Sequence, residues 1–210
     1  MKILVFDTET TGLIPKGIAL TNVISQPYIV QLSYILYDTD ENKVLVDQNV
    51  IISLPKNIRV SKESTKIHGI TQRMIQQQGI SILPVLQHFH SVCQECDLLV
   101  AHNIEFDKKM IIIEGLRNDW HVAIPTAIFC TMKNTIDLCK IIRKNYKGEP
   151  YYKYPRLCEL HQFLFGKLPT NLHNAYIDIL ICLRCFYKLY FQTDILQKNK
   201  YFKKQLSLCL

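Results

Sequence analysis

The chain begins with an apolar run, Ile3-Leu4-Val5-Phe6, that leads directly into Asp7-Thr8-Glu9-Thr10-Thr11-Gly12. A short apolar run that ends in a Thr-Gly turn predicts a buried strand. Asp7 and Glu9 are two residues apart, so both carboxylates project from one face of that strand. The two acids would repel each other and lose hydration there, and a hard cation such as Mg²⁺ or Mn²⁺ would relieve both costs. The alternative is a strand end on which both acids are simply solvated.

A third acid follows a short apolar strand near the middle of the chain. Residues Leu98 to Ala101 lead into His102-Asn103-Ile104-Glu105-Phe106-Asp107, where a helix is expected to begin. Asp107 then falls in the first turn of that helix, where the helix dipole favours a carboxylate. The position therefore has a purely structural interpretation as well as a metal-binding one.

A fourth acid lies in a helix that is apolar nearly all round. Asp178 comes just before the apolar run Ile179 to Leu189, so we expect it to be largely buried. Buried acids are unusual unless a partner compensates their charge, and a metal ion would do so. His173 lies five residues earlier and is expected on the loop ahead of this helix, from which it could approach the same site.

Together these segments resemble the motifs of the DEDD superfamily of 3′–5′ exonucleases, in the histidine-containing branch typified by the proofreading epsilon subunit of bacterial DNA polymerase III. Asp7 and Glu9 match the first motif, Asp107 the second, and His173 with Asp178 the third. The tyrosine-containing branch would place Tyr four residues before the last acid, where this chain has Asn174. The resemblance covers roughly residues 2–190.

The resemblance implies two-metal hydrolysis of phosphodiester bonds with release of nucleoside 5′-monophosphates. Asp7, Glu9 and Asp178 would hold the metal that activates the attacking water, and Asp7 would bridge to a second metal reached by Asp107. His173 would be the general base, since a neutral imidazole suits proton abstraction near pH 7.

The resemblance also implies contacts to the terminal nucleotide. The candidates are Thr10, Thr11, Gly12, Leu13, Glu63, His68, Asn103 and Phe106. The backbone of residues 10–12 would hold the nucleotide, Leu13 would wedge between the last two bases, and the other side chains would line the pocket. The alternatives are that Phe106 belongs to the core, that Glu63 is solvated, and that His68 is a turn residue.

Composition favours a polyanionic partner. The chain has 210 residues, is 48% hydrophobic and carries a formal net charge of +7. It is long enough to bury one core, and its basic balance suits single-stranded nucleic acid. The segment between Arg143 and Arg156 alternates basic residues with tyrosines, as a surface for stacked bases would. An exposed loop whose tyrosines pack on the next helix is the alternative.

Cysteine usage and the N-terminal sequence predict an intracellular, reducing compartment, either cytoplasmic or nucleoid-associated. Several of the 8 cysteines lie inside apolar runs, where thiols pack as small hydrophobes. Met1-Lys2 leads straight into the first strand without a secretory signal, and no apolar stretch predicts a membrane span. Cys93-x-x-Cys96 and Cys182-x-x-Cys185 leave a zinc site open as a minor alternative.

The coarse pattern predicts an α/β protein with a ribonuclease-H-like fold, in which helices flank a mixed five-stranded sheet. The expected strands are Lys2 to Asp7, Tyr28 to Tyr37, Lys43 to Ser53, Asp97 to Ala101 and Phe129 to Met132. The expected later helices are Ile104 to Gly115, Ile136 to Ile142, Leu157 to Phe165 and Asn174 to Tyr190. Residues 1–190 would form the exonuclease domain, and residues 191–210 a basic tail that is either an extra helix or an arm for a partner.

The leading functional hypothesis is a 3′–5′ exonuclease acting on single-stranded DNA in proofreading or repair, with Mg²⁺ or Mn²⁺ as cofactor and a DNA polymerase as a candidate partner. One alternative is an exoribonuclease that processes RNA 3′ ends. Another is a nucleic-acid-binding or polymerase-docking module whose catalysis is vestigial. Clustered carboxylates argue against the last, because they repel one another without a metal.

Overall fold

The computed structural model describes residues 1–170 and 174–207, and its centre is a five-stranded mixed sheet. The strands are β1 (Lys2–Thr10), β2 (Ile29–Asp38), β3 (Lys43–Ile51), β4 (Leu98–Ala101) and β5 (Ile128–Cys130). They lie in the order β3-β2-β1-β4-β5, with β1, β2 and β3 antiparallel and β1, β4 and β5 parallel. The predicted mixed five-stranded sheet flanked by helices is confirmed.

Helices cover both faces of this sheet. They are α1 (Lys62–His68), α2 (Gln72–Gln78), α3 (Ile82–Glu95), α4 (Ile104–Arg117), α5 (Ile136–Cys139), α6 (Leu157–Phe165), α7 (Ala175–Phe191), α8 (Ile195–Lys198) and α9 (Lys200–Leu206). Helices α3 and α4 pack on one face, and α6, α7 and α9 pack on the other.

The alternation of side chains along β1 divides the core in two. Leu4 and Phe6 point into the cluster formed with α3 and α4, whereas Ile3 and Val5 point into the cluster formed with α7. All four side chains are almost completely buried. A central strand buried on both faces must be continuously apolar, which is why this run contains no polar residue before Asp7.

Two predicted elements end three residues away from the expected position, whereas the ends of the other predicted strands and later helices agree within two residues. Strand β1 continues past Asp7 to Thr10, because Thr8 and Glu9 still pair with β2. The helix expected over Ile136 to Ile142 ends at Cys139, where the next residue, Lys140, adopts a left-handed conformation with φ 47°.

The sequence pattern predicts no strand in the segment that follows α5. That segment forms a second, two-stranded antiparallel sheet from β6 (Ile142–Lys144) and β7 (Pro150–Tyr152). The alternation of apolar and polar residues there is too short to predict strands, and pairing across a turn stabilises them instead.

The chain after α7 folds back onto the domain. Phe202 and Leu206 of α9 are fully buried in the same cluster as α7, and the Arg184 guanidinium forms an ion pair with Asp194. Among the described residues, no helix has the length and apolar character needed to cross a bilayer.

Candidate active site

The alternation along β1 also determines where its acids point. Asp7 and Glu9 continue the row of Ile3 and Val5, so they face α7 at the carboxyl end of the strand. Asp178 lies in the first turn of α7. One carboxylate oxygen from each of the three acids lies within 4.8 Å of the other two. The convergence predicted for these three residues is therefore present in the structure.

Burial and mutual repulsion make this cluster costly when it is charged. Burial raises the pKa of Asp7 well above its ordinary value, and the charges of Asp107, Asp178 and Glu9 raise it further. Burial, followed by the charges of Asp178 and Asp107, raises the pKa of Glu9 to about 8. Three oxygen ligands held this close, and destabilised by their own charge, fit a hard divalent cation.

Asp107 lies near the carboxyl end of β1 as well, but on α4, which covers the face of the sheet opposite α7. It lies in the first turn of α4 and is almost completely buried, unlike a solvated acid at a helix start. Its Oδ1 accepts hydrogen bonds from the Thr8 amide at 3.1 Å and the Thr8 hydroxyl at 2.7 Å. Burial raises the pKa of Asp107 to about 7, although the two Thr8 donors oppose that shift.

His173 lies outside the described residues, and the structure begins again immediately after it. The Asn174 side chain caps α7 by accepting a hydrogen bond from the Tyr176 amide at 3.1 Å. The Tyr176 hydroxyl donates to Asp47, away from the three converging acids. Tyr176 therefore does not take the place of a catalytic tyrosine.

The predicted nucleotide-binding residues of the first motif lie where β1 ends. The Thr10 hydroxyl donates to the Gly12 carbonyl at 2.7 Å, and the Thr11 amide donates to the Tyr28 carbonyl at 2.9 Å. Leu13 is 84% exposed, which is unusual for a large apolar side chain. These contacts fix the turn while Leu13 projects from it.

Helix α1 packs against this turn and brings two more candidates to it. The Ser64 hydroxyl donates to the Thr11 carbonyl at 3.0 Å. His68 is buried and its Nδ1 accepts from the Ile70 amide at 3.0 Å, while burial lowers the pKa of the imidazole. Glu63 is exposed on the same helix, so it remains either a nucleotide contact or a solvated acid.

The last two candidates lie at the start of α4. Asn103 is exposed and adopts a left-handed conformation with φ 70°, a geometry that asparagine tolerates. Phe106 is half-buried and packs partly against the core, but it also lines an open groove of about 510 Å³. The groove's other wall is the loop of residues 14–20.

Two residues that position the acids were missed by the sequence analysis. Thr8 holds Asp107, and Gln31 of β2 holds the start of α7 by accepting from the Ala175 amide at 3.2 Å. Gln31 is the partner of Glu9 in the antiparallel register. The alternation along β1 could have indicated that Thr8 faces away from Glu9, but the strand register needed for Gln31 is not readable from a single sequence.

Solved structures of nucleases share this fold. Exonuclease I of E. coli bound to a dA16 oligonucleotide matches with a TM-score of 0.63 at 15% identity, over 90% of this chain and 41% of that one. Exonuclease I of Methylocaldum szegediense matches with a TM-score of 0.63 at 17% identity, over 91% and 41%. The nuclease domain of 3′hExo, a DEDDh family member bound to rAMP, matches with a TM-score of 0.62 at 16% identity, over 92% and 94%.

The chain thus spans about two fifths of the length of the exonuclease I proteins and nearly all of the 3′hExo nuclease domain. A comparison with curated protein sequences gives no significant match. The family model described as "RNase_T: Exonuclease" matches residues 4–186, a span that contains every acid of the cluster. The chain belongs to this exonuclease family.

Proposed function

We propose that this protein is a metal-dependent 3′–5′ exonuclease that releases nucleoside 5′-monophosphates from single-stranded DNA, in proofreading or repair. The observation that carries the proposal is the convergence of Asp7, Glu9 and Asp178 at the edge of the sheet, in a chain of an exonuclease family. Buried acids in such a cluster are costly for a protein that only binds nucleic acid, which argues against a vestigial module.

In this proposal the four acids would form the ligand sets of two cation positions. Asp7, Glu9 and Asp178, which converge in the structure, would hold one Mg²⁺ or Mn²⁺. Asp7 with Asp107 would hold the second, as the family resemblance implies. Bound cations would supply Lewis-acid activation of the attacking water and stabilisation of the leaving 3′ oxygen. His173 would accept the proton of that water, and Thr8 would keep Asp107 oriented through the two hydrogen bonds to its Oδ1.

DNA is the substrate proposed first because the chain resembles the branch typified by the epsilon subunit, and that resemblance also makes a DNA polymerase a candidate partner. RNA is the second candidate, supported by the nearly complete overlap with the 3′hExo nuclease domain, whose structure holds rAMP. The shared acids act on phosphate, and a contact to the 2′-hydroxyl would be needed to separate the two substrates.

The test is a time course on 5′-labelled DNA and RNA strands of one sequence with Mg²⁺, Mn²⁺ or EDTA. We expect a ladder that shortens from the 3′ end only with metal, and a loss of at least about 10³-fold in rate for Asp178→Asn. Glu95→Gln, at an exposed acid far along the chain from the cluster, is the matched control.

The ratio of DNA to RNA rates distinguishes the two substrates. Retained binding without shortening under either metal would contradict the exonuclease proposal and favour a binding module. Equal rates for Asp178→Asn and wild type would show that the acidic cluster is not the catalytic site.

A further inference from the structure

The hairpin formed by β6 and β7 is a basic and aromatic surface. Residues 140–156 contain six of the 25 basic residues and only one of the 18 acidic residues, Glu149. They also contain four of the 11 tyrosines, Tyr146, Tyr151, Tyr152 and Tyr154, which are 94%, 47%, 45% and 52% exposed. Part of each ring is therefore accessible to a partner.

The turn of this hairpin is built from its own residues. The Asn145 side chain accepts from the Lys147 amide at 2.9 Å and the Glu149 amide at 3.0 Å, and Gly148 supplies the left-handed φ of 82°. Across the strands Arg143 is the partner of Tyr151, so the two side chains share one face. The hairpin thus presents aromatic and cationic groups together on a preformed support.

The base of the hairpin is tied to the edge of the sheet that carries the acids. The His102 Nε2 donates to the Pro155 carbonyl at 3.1 Å, and its Nδ1 lies 3.0 Å from the Thr131 hydroxyl. Burial lowers the pKa of His102 to about 4, so the ring is neutral. His102 follows β4 directly and α4, which carries Asp107, begins two residues later.

A second tie fixes the hairpin to α6. Lys153 forms an ion pair with Glu159, which also accepts from the Arg156 amide at 2.7 Å. Arg143 takes part in no ion pair of the described structure, and the same holds for Lys144 and Lys147. Beside the hairpin lies an open groove of about 510 Å³ whose lining includes Arg143, Tyr151, Tyr152, Lys153, Tyr154 and Arg156.

We propose that this hairpin is a binding surface for the single-stranded nucleic acid upstream of the 3′ end held at the acidic cluster. The inference rests on the proposed exonuclease function. Bases would stack on Tyr151 and phosphates would pair with Arg143, which lies on the same face of the hairpin. Tyr152 and Lys144 lie on the opposite face, where they would offer a second ring and a second cation to the same strand. A single strand is the partner that offers both exposed π-faces and regularly spaced negative charge.

The test measures binding by fluorescence anisotropy in EDTA, where the strand stays intact. The probes are labelled single-stranded DNAs of about 16 and about 3 nucleotides. We expect Tyr151→Ala/Tyr152→Ala to weaken binding of the long strand by about 5- to 10-fold and to affect the short strand less. Tyr190→Ala, at a tyrosine of similar exposure on α7, is the matched control and should bind the long strand as wild type does.

A second variant tests the charges independently of the rings. Arg143→Gln/Lys144→Gln should lower the slope of log affinity against log salt by about 1.4, since each neutralised phosphate of a single strand contributes about 0.7. Lys203→Gln/Lys204→Gln on α9 removes the same amount of charge at another place on the surface. This control should lower the slope by less than the hairpin variant does. The proposal is overturned if both hairpin variants bind the long strand as tightly as their controls, or if wild type binds both lengths equally.

The outcome for the hairpin is separable from that for the proposed function. Wild type and Asp178→Asn are compared on the p-nitrophenyl ester of thymidine 5′-monophosphate, which offers no upstream strand. If wild type cleaves the ester and the hairpin variants bind like their controls, the exonuclease proposal stands and the hairpin proposal fails. If neither protein cleaves the ester or the labelled strands, the exonuclease proposal fails, whatever the anisotropy shows.

Discussion

At the scale of single residues, Thr8 is the side chain that decides how Asp107 is presented. Asp7 and Glu9 face α7, so the residue between them must face α4, and its hydroxyl donates to Asp107 Oδ1 at 2.7 Å. The residue between the two acids of this candidate metal site therefore has a structural role of its own. It links the strand that carries two acids to the helix that carries another.

We expect Thr8→Val to lower either the Mn²⁺ affinity or the exonuclease rate by about 10-fold or more, as for other groups that orient metal ligands. Valine has nearly the shape of threonine but lacks the donor, and the Thr8 amide at 3.1 Å is retained. The measurement is the rate on labelled DNA as a function of Mn²⁺ concentration.

Thr135→Val is the control, because Thr135 is equally buried and its hydroxyl donates to the Thr131 carbonyl at 2.7 Å. The control should keep the wild-type response to Mn²⁺. A Thr8→Val protein with the same titration as wild type would mean that the backbone amide alone orients Asp107.

At the scale of elements, a buried ion pair within the end of α4 holds the loop before β2 through the hydrogen bonds that its two side chains make. The Arg117 Nη1 lies 2.7 Å from the Glu114 Oε1. The Arg117 Nη2 donates to the carbonyls of Val23 and Gln26 at 2.9 and 2.6 Å. Glu114 also accepts from the Ile29 amide at 2.9 Å. The loop held in this way is the one that carries the first predicted nucleotide contacts.

We expect Arg117→Ala to lower the free energy of unfolding by about 3–5 kcal/mol, because it leaves the Glu114 carboxylate buried without its cation. Urea denaturation measures the loss, and the exposed Arg59→Ala serves as a control that should change it by less than about 0.5 kcal/mol. Adding Glu114→Gln to Arg117→Ala should recover part of the stability. A loss below about 1 kcal/mol for Arg117→Ala would mean that Arg117 does not stabilise the fold by pairing with buried Glu114.

The elements that could be predicted from sequence are those whose pattern is decided locally. Helix α6 has the expected bounds, since Gly166 ends it in a left-handed conformation with φ 71°. The hairpin of β6 and β7 was missed because its strands are three residues each and depend on pairing. Motif spacing predicted which acids converge at the end of β1, whereas Gln31 became visible only through the register of β1 and β2.

At the scale of the whole molecule, the acidic cluster couples stability to pH and to metal. Without metal, the raised pKa values of Asp7, Glu9 and Asp107 mean that the folded state binds protons more tightly than the unfolded chain. The stabilisation from these protonated acids is complete below their ordinary pKa values, near 4, and is lost as pH rises towards about 8. The metal-free protein should therefore become less stable between these pH values.

We expect the melting temperature in EDTA to fall by at least about 5 °C between about pH 5 and about pH 8. Glu9→Gln should make that fall smaller, because it removes one of the acids with a raised pKa.

Mn²⁺ should raise the melting temperature of wild type, and more at the higher pH, because it binds the ionised acids whose mutual repulsion destabilises the metal-free protein. Asp7→Asn should lose most of the response to Mn²⁺ while being more stable than wild type in EDTA at about pH 8. Differential scanning calorimetry gives all of these values, with Glu95→Gln as the control that should follow wild type throughout. A melting temperature in EDTA that rises over this range would mean that the three acids are not destabilised by their burial together. Equal stabilisation of wild type and Asp7→Asn by Mn²⁺ would place the bound ion elsewhere in the protein.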